Sequence, residues 1–168
     1  MAAEAAPFVK IGGLADVAGA LPAALRALSE EDAGGVKLDV RLVLPLHMVI
    51  RTEAATLRPI ASFAVKRSGV DIGAQVYEMS SGDMPVYFIA GEPITTSASV
   101  YSANAALDGE KYTFFSLAAL EMTKHLDWEP DIIHANDWHT ALTAYALQIE
   151  QWNGKMQDTK ALLTVHNL

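Results

Sequence analysis

Short, unbroken apolar runs constrain this chain more than any other feature. Residues 39–45 (DVRLVLP), 85–90 (PVYFIA) and 161–165 (ALLTV) each have the length of a strand, and each runs rather than alternates. A strand remains apolar throughout when both of its faces are covered, as in a parallel sheet flanked by helices. A shorter run, residues 131–134 (DIIH), follows the Glu129-Pro130 break and reads the same way. Helical periods lie between the runs. Tyr112, Phe115, Ala119, Met122 and Leu126 recur at spacings of three and four within about residues 109–126, and Leu142, Tyr145, Ile149 and Trp152 do so within about 138–153. Asn153-Gly154 ends the second helix, because glycine accepts the left-handed cap conformation. The Ala- and Leu-rich stretch 14–28 predicts another helix, with Pro22 imposing a kink or a restart.

Residues 58–80 alternate around Ser68-Gly69, which predicts a hairpin attached to the main sheet. Residues 91–107 are rich in Ser, Thr and Ala with no period, and read as a loop long enough to suggest a function. Strands alternating with helices predict one α/β domain with an open sheet. In such sheets ligands sit beyond the carboxyl ends of the strands, so residues just after the apolar runs are the candidates.

Composition removes several classes. With 168 residues, 51% hydrophobic and 19% charged, the chain suits one globular domain. A net charge of −8 argues against broad nucleic-acid binding. The absence of cysteine excludes disulfides, thiolate nucleophiles and zinc–sulfur sites. No apolar stretch reaches the roughly 20 residues of a membrane span, and residues 1–7 lack the basic start and apolar run of a signal peptide. The cytoplasm is the expected compartment.

Two sites stand out. Lys10-Ile11-Gly12-Gly13 directly precedes the first helix, where free N–H groups attract an anion and Lys10 can add a full charge to a phosphate. A plain strand-to-helix turn with a solvated lysine is the alternative. Residues 134–139 (HANDWH) place two imidazoles, an amide, a carboxylate and an indole at a strand end. Asp137 suits a helix N-cap, and Trp138 suits either the core or a platform for a sugar ring. A metal on His134, Asp137 and His139 lacks the spacing of known zinc motifs. His166 and Asn167 repeat the polar pattern after the last apolar run. His47 and His125 stand alone, the latter where a helix dipole favours it.

Residues 2–17 (AAEAAPFVKIGGLADV) with 19–25 (GALPAAL), 134–139 (HANDWH) and 164–168 (TVHNL) together resemble the bacterial and plant glycogen/starch synthases. Residues 39–46 and 112–122 match less specifically, and about 50–105 only weakly. The resemblance implies the N-terminal Rossmann-like half of a two-domain GT-B enzyme. Such enzymes transfer glucose from ADP-glucose to the non-reducing end of an α-1,4-glucan, with retention and with neither a metal nor a cofactor. It assigns the donor diphosphate to Lys10, Gly12 and Gly13. Asp137 and His166 fall beside the transferred glucose, as the catalytic pair, and Glu4, Trp138, His139 and Asn167 line the sugar or acceptor part of the cleft. In this scheme Asp137 stabilises positive charge and is not a nucleophile.

Family members carry an apolar strand before the Ala-Ala-Glu motif, where this chain has only Met1. The expectation is therefore a sheet without its first strand, no C-terminal nucleotide-binding domain, no glucan synthesis by the 168 residues alone, and a tendency to self-associate. A plant member would reside in the plastid. A non-catalytic glucan- or nucleotide-sugar-binding module, another nucleotide-sugar glycosyltransferase and a phosphorylase are the alternatives.

Overall fold

A computed structural model describes residues 1–50 and 57–166. In chain order the elements are α1 (Gly13–Arg26), β1 (Leu42–Pro45), β2 (Arg58–Arg67), β3 (Val70–Ser81), β4 (Met84–Gly91), α2 (Glu92–Thr95), α3 (Ala105–His125), β5 (Ile132–Asn136), α4 (Trp138–Trp152) and β6 (Lys160–Thr164). The four apolar runs are β1, β4, β5 and β6. The alternating stretch is the hairpin β2–β3, turning at Ser68 and Gly69 with φ of 50° and 80°. Positive φ at both central residues gives a two-residue turn the twist its strands require.

The strands form a four-stranded sheet, β1-β4-β3-β2, and a pair, β5-β6. Pairing is parallel between β1 and β4 and between β5 and β6, and antiparallel where the hairpin attaches to β4. Residues 1–3 lie between the two sheets. Ala2 N–H donates to Val43 O (3.2 Å), and Asn136 N–H donates to Met1 O (3.2 Å).

β4 is the keel of the larger sheet. Its successive side chains face opposite ways, so Val86 and Phe88 pack with Leu14, Ala18 and Leu44 on the α1 side. Tyr87 and Ile89 pack with Phe114, Phe115 and Met122 on the α3 side. Helices thus cover both faces, as the unbroken runs require. α1 is one helix through Pro22 and does not restart. It approaches the 5–9 turn so closely that a Cβ on Gly19 would lie 2.4 Å from Ala6 O.

Three expectations need correction. Residues 91–107 are not all loop, because α2 and the first turn of α3 fall within them. Asn104 starts α3 by accepting from Ala106 N–H (3.0 Å), eight residues before the apolar period begins at Tyr112. The period Leu142-Tyr145-Ile149-Trp152 is not the packed face of α4. The helix docks through Thr140, Thr143, Ala146 and Leu147, leaving Tyr145 and Trp152 exposed at 59% and 72%. β6, read as a buried strand, is exposed along its length, because among the described residues only β5 pairs with it.

Candidate functional site

Asp137 is the single residue between β5 and α4, at the carboxyl end of its strand. It is fully buried, with φ 62° and ψ 178°. Side chains with a Cβ avoid this region, at a cost of about 1–3 kcal/mol, so the surroundings must enforce it. They do so from three directions. Asp137 N–H donates to Thr164 O (2.8 Å), its carbonyl accepts from Thr140 N–H (3.2 Å), and its Oδ1 accepts from His166 N–H (2.6 Å). Asp137 therefore sits in the N-cap position without capping. No first-turn N–H bonds to its side chain, and the carboxylate instead ties the β5–α4 turn to the segment after β6.

His166 also bonds through Nε2 to Asn136 Oδ1 (3.0 Å), and His134 Nε2 lies 2.8 Å from Thr164 Oγ1. The two polar strand ends thus meet. Asn167 lies outside the described residues.

His139, in the first turn of α4, sits among three rings. Trp138, Tyr112 and Tyr101 have centroids 4.0, 4.6 and 4.8 Å away. Burial lowers its pKa to about 4, against the opposing pull of Asp137, Asp108 and Glu4, so the imidazole is neutral at pH 7. Its Nδ1 is buried without a hydrogen-bond partner among the described residues. Trp138 is 54% exposed although it rests edge-on against Tyr112 (5.4 Å). This removes the core reading and leaves an open indole beside the buried carboxylate.

The glycine loop reaches this cluster through Glu4, which is only 2% exposed. Glu4 Oε2 accepts from the N–H groups of Ile11 and Gly12, the latter at 3.1 Å, and Oε1 accepts from Tyr101 OH (2.9 Å). Burial, reinforced by the Glu4 carboxylate, pushes the Tyr101 phenol up, so it remains a donor. Glu4 was expected to line the sugar cleft. Here both of its oxygens are engaged in bracing the loop. Gly12 occupies the N-cap of α1 and has no side chain to cap it, while in front of Gly13 an added Cβ would meet nothing within 4 Å. The helix start is therefore uncovered at Gly13, while the Gly12 N–H is taken by Glu4.

Lys10 stands at the rim. Its ammonium pairs with Asp16 (2.6 Å), and it lines an open hollow of about 400 Å³ with Pro7, Ile11, Val49 and Ser99. Contacts run from Gly12 through Glu4 and Tyr101 to His139 and Trp138, and from His166 to Asp137, which precedes Trp138 in the chain. The Lys10 side chain joins neither set, pairing with Asp16 and lining a hollow that neither Asp137 nor His166 lines. Among the described residues no group of three or more His, Asp or Glu side chains is arranged to hold a metal ion.

The family model for the starch synthase catalytic domain matches residues 1–168. This chain belongs to that family. It is 38% identical to a glycogen synthase of Clostridium novyi (strain NT) over 98% of this chain and 33% of that protein. A glycogen synthase of Thermotoga maritima is 35% identical over 98% of this chain and 34% of its own length. The chain therefore spans about a third of the curated relatives it matches. Its α/β fold matches the catalytic domain of starch synthase IV from Arabidopsis thaliana, solved with ADP and acarbose, at a TM-score of 0.82 and 26% identity, over 99% of this chain and 33% of that one.

Within this starch synthase domain, reading the sequence missed Tyr101, Tyr112, Lys111, Asp108 and His47. His47, taken as isolated, is 2% exposed. Its Nε2 lies 3.0 Å from Ala3 O, and its ring is 6.4 Å from that of Tyr112. Burial lowers its pKa to about 4. One signal was available: Asp108 and Lys111 stand three apart on α3, the spacing at which helical side chains pair. His125, assigned to the helix dipole, does end α3, and it also stacks on Phe63 at 4.7 Å.

Proposed function

We propose that this chain is the part of a glucosyltransferase that meets both sugar substrates, in an enzyme moving glucose from ADP-glucose to the non-reducing end of an α-1,4-glucan with retention. Cleaving a glycosyl–phosphate bond leaves positive charge on the anomeric carbon and negative charge on the departing diphosphate. Lys10 and the N–H of Gly13 answer the second, with Lys10 exchanging Asp16 for the diphosphate while the Gly12 N–H stays on Glu4. The Asp137 carboxylate answers the first by electrostatics. His166 sets that carboxylate, and neutral His139 and the open face of Trp138 receive sugar hydroxyls and a ring face. Glu4 serves by holding the loop. Asn167 keeps the sugar-contact role that the resemblance gives it. The scheme uses no metal and no cofactor, and the cytoplasm is the compartment proposed for it.

The observation that carries this reading is Asp137, a buried carboxylate held in a strained backbone conformation where two strand ends meet. Isothermal titration of the chain with ADP and with maltotetraose tests it. Lys10→Ala should weaken ADP binding at least tenfold, and Asp137→Asn should weaken maltotetraose binding while the fold persists. Failure of the unsubstituted chain to bind either ligand counts against the reading. Because relatives are three times as long, the 168 residues alone should not elongate a glucan, and elongation by the purified chain would overturn that part. The exposed apolar β6 and the α4 stripe should also make the isolated chain associate at high concentration, which sedimentation would detect.

A further inference from the structure

Lys111 is 1% exposed, a rare placement for a lysine. Its ammonium pairs with Asp108 Oδ1 (2.8 Å) and donates to Val100 O (2.6 Å), Ser99 O (3.1 Å) and Ser97 Oγ (3.2 Å). Asp108 Oδ2 in turn accepts from Ser102 N–H (2.8 Å), and Tyr112 OH donates to Val100 O (2.6 Å). Segment 97–102 has no ladder of its own, so these bonds from α3 set its course. A buried ion pair is seldom the most stable filling for a core, and a hydrophobic pair of similar volume often does as well. Its retention here therefore calls for a role that apolar packing would not fill. Between the clamped Val100 and Ser102 lies Tyr101, whose hydroxyl meets Glu4, and Glu4 holds Ile11 and Gly12.

We propose that Lys111 is a positioning residue for the glycine loop. It locks segment 97–102 onto α3, which fixes the Tyr101 hydroxyl on Glu4, which fixes the loop whose remaining N–H groups face a bound diphosphate. The ligand part of this inference rests on the proposed donor site, whereas the mechanical coupling does not. Lys111 touches no ligand. It acts on residues about a hundred positions away through three hydrogen-bonded steps.

Amide hydrogen exchange followed by NMR, together with ADP titration, tests it on the 168-residue chain. Lys111→Met alone strands the Asp108 carboxylate and can unfold the protein, so the working variant is the charge-balanced pair Lys111→Met with Asp108→Asn. In that variant the amides of Tyr101, Ser102, Ile11 and Gly12 should exchange at least tenfold faster, with those of β4 unchanged. Tyr101→Phe, which removes one hydroxyl, should accelerate Ile11 and Gly12 and leave the Ser102 amide as it was. A folded double variant with Ile11 and Gly12 exchanging at the original rate overturns the proposal, as does an unchanged loop in Tyr101→Phe. If the coupling holds, both variants should also lose at least fivefold in ADP affinity. Loop acceleration with undiminished ADP binding refutes the positioning of a diphosphate. Absence of ADP binding by the unsubstituted chain sinks the donor reading instead, and the exchange data still decide the coupling.

Discussion

Replacing Asp137 by alanine and, separately, by glycine isolates the backbone strain at the site. Both variants lose the carboxylate and with it the bond to His166 N–H, so that loss cancels when the two are compared. What remains is the conformation at φ 62°, ψ 178°. Alanine retains a Cβ and still bears a strain of about 1–3 kcal/mol, whereas glycine adopts this region freely. Against that, glycine has more unfolded-state freedom to lose, about 0.5–1 kcal/mol relative to alanine. The difference leaves Asp137→Gly more stable than Asp137→Ala by up to about 2.5 kcal/mol, with a midpoint of roughly 1 kcal/mol, the reverse of the usual order. Urea unfolding followed by far-UV circular dichroism measures both variants, and a common m-value shows that they unfold over the same surface. If alanine proves equal to or more stable than glycine, Asp137 is not strained, and the argument that the fold holds a carboxylate against its preference fails. Both variants should be equally poor at binding maltotetraose.

Gly19→Ala pushes a Cβ to 2.4 Å from Ala6 O, a backbone atom that cannot swing away, and should destabilise the chain by about 1–3 kcal/mol in the same urea assay. His47 and His139 are buried neutral with pKa values lowered to about 4, below the unfolded value near 6.5. The unfolded state therefore binds more protons between those limits. Stability is complete above about pH 6.5 and falls as pH drops toward 4, by about 1.4 kcal/mol per unit for each histidine. His47→Gln should flatten this acid limb by about one histidine's share, and an unchanged slope would show that His47 does not contribute. Trp138→Ala should weaken maltotetraose binding about tenfold, roughly 1.4 kcal/mol, because the indole is mostly exposed and free to stack. It should move the urea midpoint little, and intact binding would exclude Trp138 as the sugar platform.

Much of this was legible in the chain. The runs that became β1 and β4 located the larger sheet, since only strands covered on both faces remain apolar at every position. Ser68-Gly69 marked the hairpin, and the polar residues at the ends of β5 and β6 marked a shared site, because parallel neighbours bring their carboxyl ends together. The α4 face was misread because an apolar period reports that a stripe exists, not which neighbour covers it, and α4 docks through Thr140, Thr143, Ala146 and Leu147 instead. Asp137 as an N-cap was misread for a related reason. Its side-chain chemistry suits a cap, but a positive φ imposed by Thr164, Thr140 and His166 directs it elsewhere.

The amino-acid order alone thus determined the elements whose causes are local: strands from continuous hydrophobicity, helices from period, the hairpin from its turn residues, the loop from its glycines. Tertiary structure decided which polar groups answer one another. Glu4 with Tyr101, Lys111 with the Ser99 and Val100 carbonyls and Asp137 with His166 are separated by 97, 11 to 12 and 29 residues. Such pairings arise from the free-energy penalty of leaving a buried charge or N–H unsatisfied, and that penalty exists only once folding has removed the water that would otherwise satisfy it.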